Sequence, residues 1–198
     1  GRLLLGMEMT DAPAGGGGLG AAGCAAATEA KKVNYTLRVD VMEASAVPHD
    51  DQLCIGIANG AEEWKTDYAK CEGGHVLWYA QMKPITLTRA DDLSLVPDII
   101  VNIYEKETIG GPSRIGYRRI KAADIFDPNP KTGGDPHARW RLLHPDNFNG
   151  DMKKEEIAGS VSIRLWLGRA DAMEKAERQP LLRPTIVGYQ LRAHIYQA

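Results

Sequence analysis

The sequence predicts an all-β protein, an antiparallel sandwich of about eight short strands. Three observations carry that expectation. Apolar and polar residues alternate with period two in many short runs, as a pleated strand with one buried face requires. Clusters of Gly, Pro, Asn and Asp punctuate the runs at regular spacing. Between the runs almost no stretch carries the 3.6-residue period of a helix.

The elements follow in order from Val33. Tyr35, Leu37, Val39 and Val41 alternate with Thr36, Arg38, Asp40 and Met42 as a first strand, and a turn rich in Pro, His and Asp follows at Val47–Asp51. Leu53, Ile55 and Ile57 form a second strand, and Asn59-Gly60 joins it to Glu63–Thr66 as a hairpin, the pair of residues best suited to a tight turn. Val76–Trp78 and Ile85–Leu87 flank another connection. Ile99, Val101 and Ile103 then alternate with Ile100, Asn102 and Tyr104, and a loop from Glu105 to Ser113 leads into the arginine-rich strand Arg114–Ile120. Lys121–Ile125 reads as one turn of helix, Trp140 and Leu142 alternate with arginines, and Val161, Ile163, Leu165 and Leu167 close the sandwich. A weak helical pattern from Ala170 to Arg178 stops before Pro180, and its small and charged residues suit a linker helix.

The flanks differ from this body. Residues 1–32 are rich in Gly and Ala. Gly15–Gly20 there matches GxGxxG without a preceding strand, so a disordered linker is predicted rather than a dinucleotide site. At the other end, Tyr189-Gln-Leu-Arg-Ala-His-Ile-Tyr-Gln-Ala198 repeats the Tyr, Leu, Arg and Ala of Tyr35–Ala44 at the same offsets. The repeat implies a second module cut off after its first strand, or a chance likeness of two amphipathic strands. The domains are therefore 1–32 linker, 33–168 sandwich, 169–188 linker with a short helix, and 189–198 the opening strand of a following domain. The chain reads as a piece of a longer protein.

Composition narrows the function. At 43% hydrophobic and 25% charged residues the chain suits a globular protein, and a net charge of −2 argues against a general nucleic-acid binder. The cysteines Cys24, Cys54 and Cys71 lack metal-ligand spacing and fit a reducing, intracellular setting. No run approaches the roughly 20 apolar residues of a membrane span. The sequence holds no GxSxG, HExxH, GxxxxGK[ST] or CxxC, and His49, His75, His137, His144 and His194 stand singly, so no enzyme is predicted and no cofactor.

Two clusters remain. Asp50 and Asp51 follow the first strand, while Glu105 and Glu107 follow the strand ending at Tyr104. Loops at one end of a sandwich could pool these carboxylates for calcium, which takes six to eight oxygens, or the acids could simply be solvated. Arg114, Arg118, Arg119 and Lys121, with Arg139 and Arg141 on a later strand, could engage anionic lipid headgroups or could guard an edge strand against aggregation.

Several stretches resemble the ferlins, membrane-anchored proteins with tandem C2 domains. Val96-Pro-Asp-Ile-Ile, Arg114-Ile-Gly-Tyr-Arg-Arg-Ile-Lys-Ala and Ser162-Ile-Arg-Leu-Trp-Leu-Gly168 are similar, in that order, to the FerB region, and Tyr189–Ala198 to the first strand of the C2 domain after it. The resemblance implies a C2-like eight-stranded sandwich, a role in vesicle fusion and exocytosis, and a position at the cytoplasmic face of a membrane. It also implies neighbouring C2 domains as partners and an anchor outside residues 1–198. Set against the C2 pattern, Asp51-Gln52 stands where Pro-Tyr is usual, and Glu105-Lys106-Glu107 where Asp-x-Asp is usual. Ser113 or Arg114 stands where a later aspartate would fall. Asp50, Asp51, Glu105 and Glu107 thus read as a degenerate calcium site, unoccupied or weak, which leaves interdomain packing or protein interaction as the role. The alternative is anionic-phospholipid binding through Arg114–Lys121.

Overall fold

A computed structural model describes residues 31–107, 109–127, 138–146 and 157–183. Most of the N-terminal linker and the repeat strand at 189–198 lie outside the described residues. The described strands form two antiparallel sheets, as the period-two pattern predicts.

The first sheet is built on β1 (Lys32–Ser45), which pairs along its length with β11 (Ser160–Arg169). On its other side β1 takes β6 (Ile85–Ala90) along its first half and β5 (Val76–Gln81) along its second. The edge strand β9 (Arg139–Leu142) pairs with β11. In the second sheet β2 (Gln52–Asn59) lies between β7 (Ile99–Glu105) and the short β3 (Glu62–Lys65) and β4 (Ala69–Lys70). β8 (Ser113–Ile120) pairs with β7, and β10 (His144–Pro145) with β8.

Eleven strands are therefore described where about eight are expected, and the excess comes from short strands. After β3 the chain adds the short β4 beyond residues 66–68, and the connection expected between Val76–Trp78 and Ile85–Leu87 falls at 82–84, between β5 and β6, where Pro84 has no N–H to give to a ladder. The run Arg139–Leu142 ends at Leu143, after which the chain crosses from the first sheet to the second and adds β10.

The alternation decides which side chains meet between the sheets. Leu37, Val39 and Val41 of β1, with Ile163 and Leu167 of the neighbouring β11, share one buried cluster with Leu53, Ile55 and Ile57 of β2 and Ile99, Val101 and Ile103 of β7 in the other sheet. Burial of each such side chain contributes about 1.5–3 kcal/mol. At the end where β2 turns into β3, buried Asn59 meets its polar needs locally. It donates to the Pro97 carbonyl at 2.7 Å and accepts from Arg89 Nε at 2.8 Å.

β1 and β11 are buried on both faces, which alternation alone does not predict for a two-layer sandwich. The second cover comes from the C-terminal segment. The one-turn helix expected at Lys121–Ile125 is α1 (Ala122–Ile125); after α2 (Ala170–Lys175) the chain runs to residue 183 without regular structure, and Met173 and Ala176 are buried. Where a linker is expected, 170–183 lies against the outer face of the first sheet. The close approach needs Gly168, since a Cβ there would fall 2.7 Å from Met173 Cγ.

Candidate functional site

At one end of the sandwich the loop after β1 meets the last residue of β7 through a side-chain contact. His49 Nδ1 lies 3.1 Å from Glu105 Oε1. Asp51 Oδ1 accepts from the Gln52 N–H at 2.6 Å, its carbonyl accepts from Cys71 N–H at 2.9 Å, and Asp50 and Glu107 are exposed. Among the described residues no group of three or more His, Cys, Asp and Glu side chains is gathered where it could hold a metal ion. Of the four acids named from the sequence, Glu105 is thus joined to His49, which the sequence placed as an isolated surface histidine. Ile109 stands at the tip of the β7–β8 loop, 88% exposed.

On the arginine strand β8, two of the three arginines already have acidic partners. Arg114 Nε donates to Asp146, and its guanidinium sits 5.2 Å from the Tyr117 ring. The bond to Asp146 raises the Arg114 pKa, against the opposing effect of burial. Arg119 Nε donates to Asp98, yet 74% of its side chain remains exposed. Arg118 pairs across from Val101 on the inward side and reaches His144, with Nη1 3.2 Å from Nε2. Lys121 is exposed. Arg139 and Arg141 line a cavity of about 220 Å³ with Asp124, Asp127 and Phe126.

Two further constellations lie on the outer faces. On the second sheet, Glu63 Oε1 accepts from Tyr104 Oη at 2.6 Å and from Asn102 Nδ2 at 3.1 Å, and Lys65 Nζ lies 3.3 Å from Glu63 Oε2. Gly56 opposite makes room, because a Cβ there would lie 2.6 Å from Glu63 Oε1 and 2.7 Å from the Tyr104 ring. Burial pushes the Glu63 pKa up, but the bonds from Tyr104 and Asn102 and the Lys65 charge outweigh it, so it is lowered. Burial and the bond to Glu63 push Tyr104 well above the usual phenol value, which keeps its proton available to donate.

On the first sheet, Asp40 is fully buried and accepts from Arg164 Nε at 2.8 Å and from Arg178 Nη2. Arg178 also donates to the Val39 and Met82 carbonyls at 2.9 and 2.8 Å. Arg38 directs one Nη at the Ala176 carbonyl, 2.9 Å away, and the other at the Met173 carbonyl. The Arg164 guanidinium stacks 4.7 Å from the Trp166 ring. Three arginines thus surround one carboxylate. Burial lowers the Arg38 pKa, Arg178 adds to that, and Asp40 opposes it.

No family model matches the sequence, and no curated protein matches it. Among solved structures the fold is similar to a C2 domain of plant Extended Synaptotagmin 1 (13% identity, TM-score 0.47), with 68% of this chain and 94% of that one covered. It is also similar to a structure described as a C2 domain (10% identity, TM-score 0.41), over 67% of this chain and 97% of that one. A third likeness, to human GIVD cytosolic phospholipase A2 (8% identity, TM-score 0.46), covers 70% of this chain but 16% of that protein.

Proposed function

We propose that this chain carries a non-catalytic C2-like interaction module of a ferlin-type protein, acting in vesicle–membrane fusion at the cytoplasmic face of a membrane. It works without calcium and packs against neighbouring domains of its own chain or a protein partner. The observation that carries this reading is the His49–Glu105 contact at the loop end. A calcium ion needs six to eight oxygens at about 2.3–2.6 Å. Here one Glu105 oxygen faces His49, and one Asp51 oxygen holds the Gln52 N–H. The stretches that resemble the FerB region fall, in order, at β7, β8 and β11, which supports the ferlin part of the reading.

Calorimetry with calcium up to millimolar concentration tests it. The expected result is no saturable heat. Saturable binding in the micromolar range overturns calcium independence.

A second reading is anionic-phospholipid binding through Arg114, Arg118, Arg119 and Lys121. The exposed side chain of Arg119, beside exposed Lys121, favours it. Each cation near a charged bilayer contributes about 1 kcal/mol. Sedimentation with phosphatidylserine vesicles should then fall for Arg119→Ala and Lys121→Ala. Equal sedimentation of wild type and variants removes this reading.

A further inference from the structure

We propose that residues 170–183 form a displaceable strap over an oxyanion-binding face, with backbone carbonyls of the strap standing where ligand oxygens would bind. The face is the outer side of the first sheet, and its central groups are Arg38, Arg164 and Trp166. This inference goes beyond the loop-end reading and does not depend on it.

Three observations carry it. The first is the geometry of Arg38. Both of its Nη atoms point at carbonyl oxygens, those of Met173 and Ala176, so its planar fork is presented to two oxygens at once. A carboxylate or phosphate fills the same fork with charge-assisted bonds, which are stronger than bonds to neutral carbonyls. The second is the charge of the layer. Arg38, Arg164 and Arg178 gather around Asp40, and Arg178 belongs to the strap. Lifting the strap removes one cation together with the carbonyls, and leaves Arg38 and Arg164 on the face with Asp40. The third is how the strap is attached, through polar bonds more than apolar packing. Gln81 Nε2 and Arg164 Nη2 add bonds to the Gln179 carbonyl, the buried side chains are Met173 and Ala176, the helix is six residues long without a side-chain cap, and Leu182 is 80% exposed. Segments with few apolar contacts and polar attachments open at lower free energy than core strands.

An oxyanion that binds only the open face draws the equilibrium toward opening, because a ligand shifts a two-state element by its differential affinity. Free phosphate compounds and headgroup phosphates share this chemistry.

The test is amide hydrogen exchange on the full chain, alone and with millimolar inorganic pyrophosphate. Without ligand, amides of residues 173–179 should exchange at least about tenfold faster than those of β1 and β11. Pyrophosphate should speed the strap amides several-fold further and leave the core strands unchanged. Arg38→Gln should abolish that effect, and Arg178→Gln should open the strap without ligand. A parallel arm with vesicles containing a phosphoinositide asks whether a headgroup acts as the free ion does.

Strap amides exchanging in step with β1 would overturn the proposal, as would no response to pyrophosphate. A response that survives Arg38→Gln would mark pyrophosphate as an adventitious ion only. If Arg38→Gln fails to fold, a conservative Arg38→Lys keeps the charge but loses the fork, and it should weaken the pyrophosphate effect. An undiminished effect in that variant overturns the assignment.

Discussion

Asp40 is the most consequential single residue described. It is fully buried, and its oxygens accept from Arg164 and Arg178. Asp40→Ala leaves the buried Arg164 guanidinium and the half-buried Arg178 guanidinium facing each other. Chemical denaturation should show a loss of about 3–5 kcal/mol, the usual cost of removing one partner of a buried ion pair. Gly56 is a different case, since its role is to be small. Gly56→Ala must push Glu63 and Tyr104 apart, and a loss of about 1–2 kcal/mol is expected from denaturant midpoints. Glu63 also sets a pH dependence. Its folded pKa is lowered, so its contribution to stability is present above the unfolded value and is lost as pH falls through the folded one. Glu63→Gln should therefore flatten the stability profile below about pH 4.5. The sequence shows these residues only as the polar half of an alternating strand. Arg38 and Asp40 read as solvent-facing, because what buries them arrives more than a hundred residues later along the chain. His49 is unreadable for the same reason, since its partner Glu105 lies 56 residues away.

Elements were more legible than sites. β1, β2, β7, β8 and β11 are long enough for their alternation to repeat several times, and each lies where the pattern puts it. The Asn59-Gly60 turn between β2 and β3 likewise follows from local chemistry, with Gly60 at φ +67°. The switch between sheets is not local. Leu143 is buried between two backbone bonds, its N–H to the Gly159 carbonyl and its carbonyl from the Ala158 N–H, and that exchange carries the chain from one sheet to the other. Nothing in Trp140–Pro145 announces it. The helix α2 shows the opposite failure: its weak amphipathicity is correct, but one buried methionine suffices to seat it. Gly168→Ala should lift Met173 from that seat. Proteolysis within 170–183 should accelerate several-fold while β1 and β11 stay protected, and unchanged cleavage would show that the segment accommodates the extra methyl.

At the scale of the molecule, an antiparallel sandwich follows from period-two patterning because a single hydrophobic layer between two sheets satisfies it. The pattern says nothing about what covers the outer faces, and there this chain is unusual. The path of the strap has a mechanical consequence. β1 starts at Lys32, and Arg183 at the far end of the strap lies within electrostatic reach of Tyr79. The neighbours of Tyr79 in β5, Leu77 and Ala80, pair with Glu43 and Val41 toward the other end of β1. Lys32 and Arg183 are therefore separated by about ten residues of β1, roughly 33 Å of extended strand. Tension between flanking segments would reach Arg178 and Met173 before it reached the β1–β11 ladder, and would detach them one after another. The expected force–extension trace has a low first rip releasing roughly 14 residues, about 50 Å of chain, before the sandwich yields. The segment that closes the face at rest would act under load as a shock absorber for the body behind it.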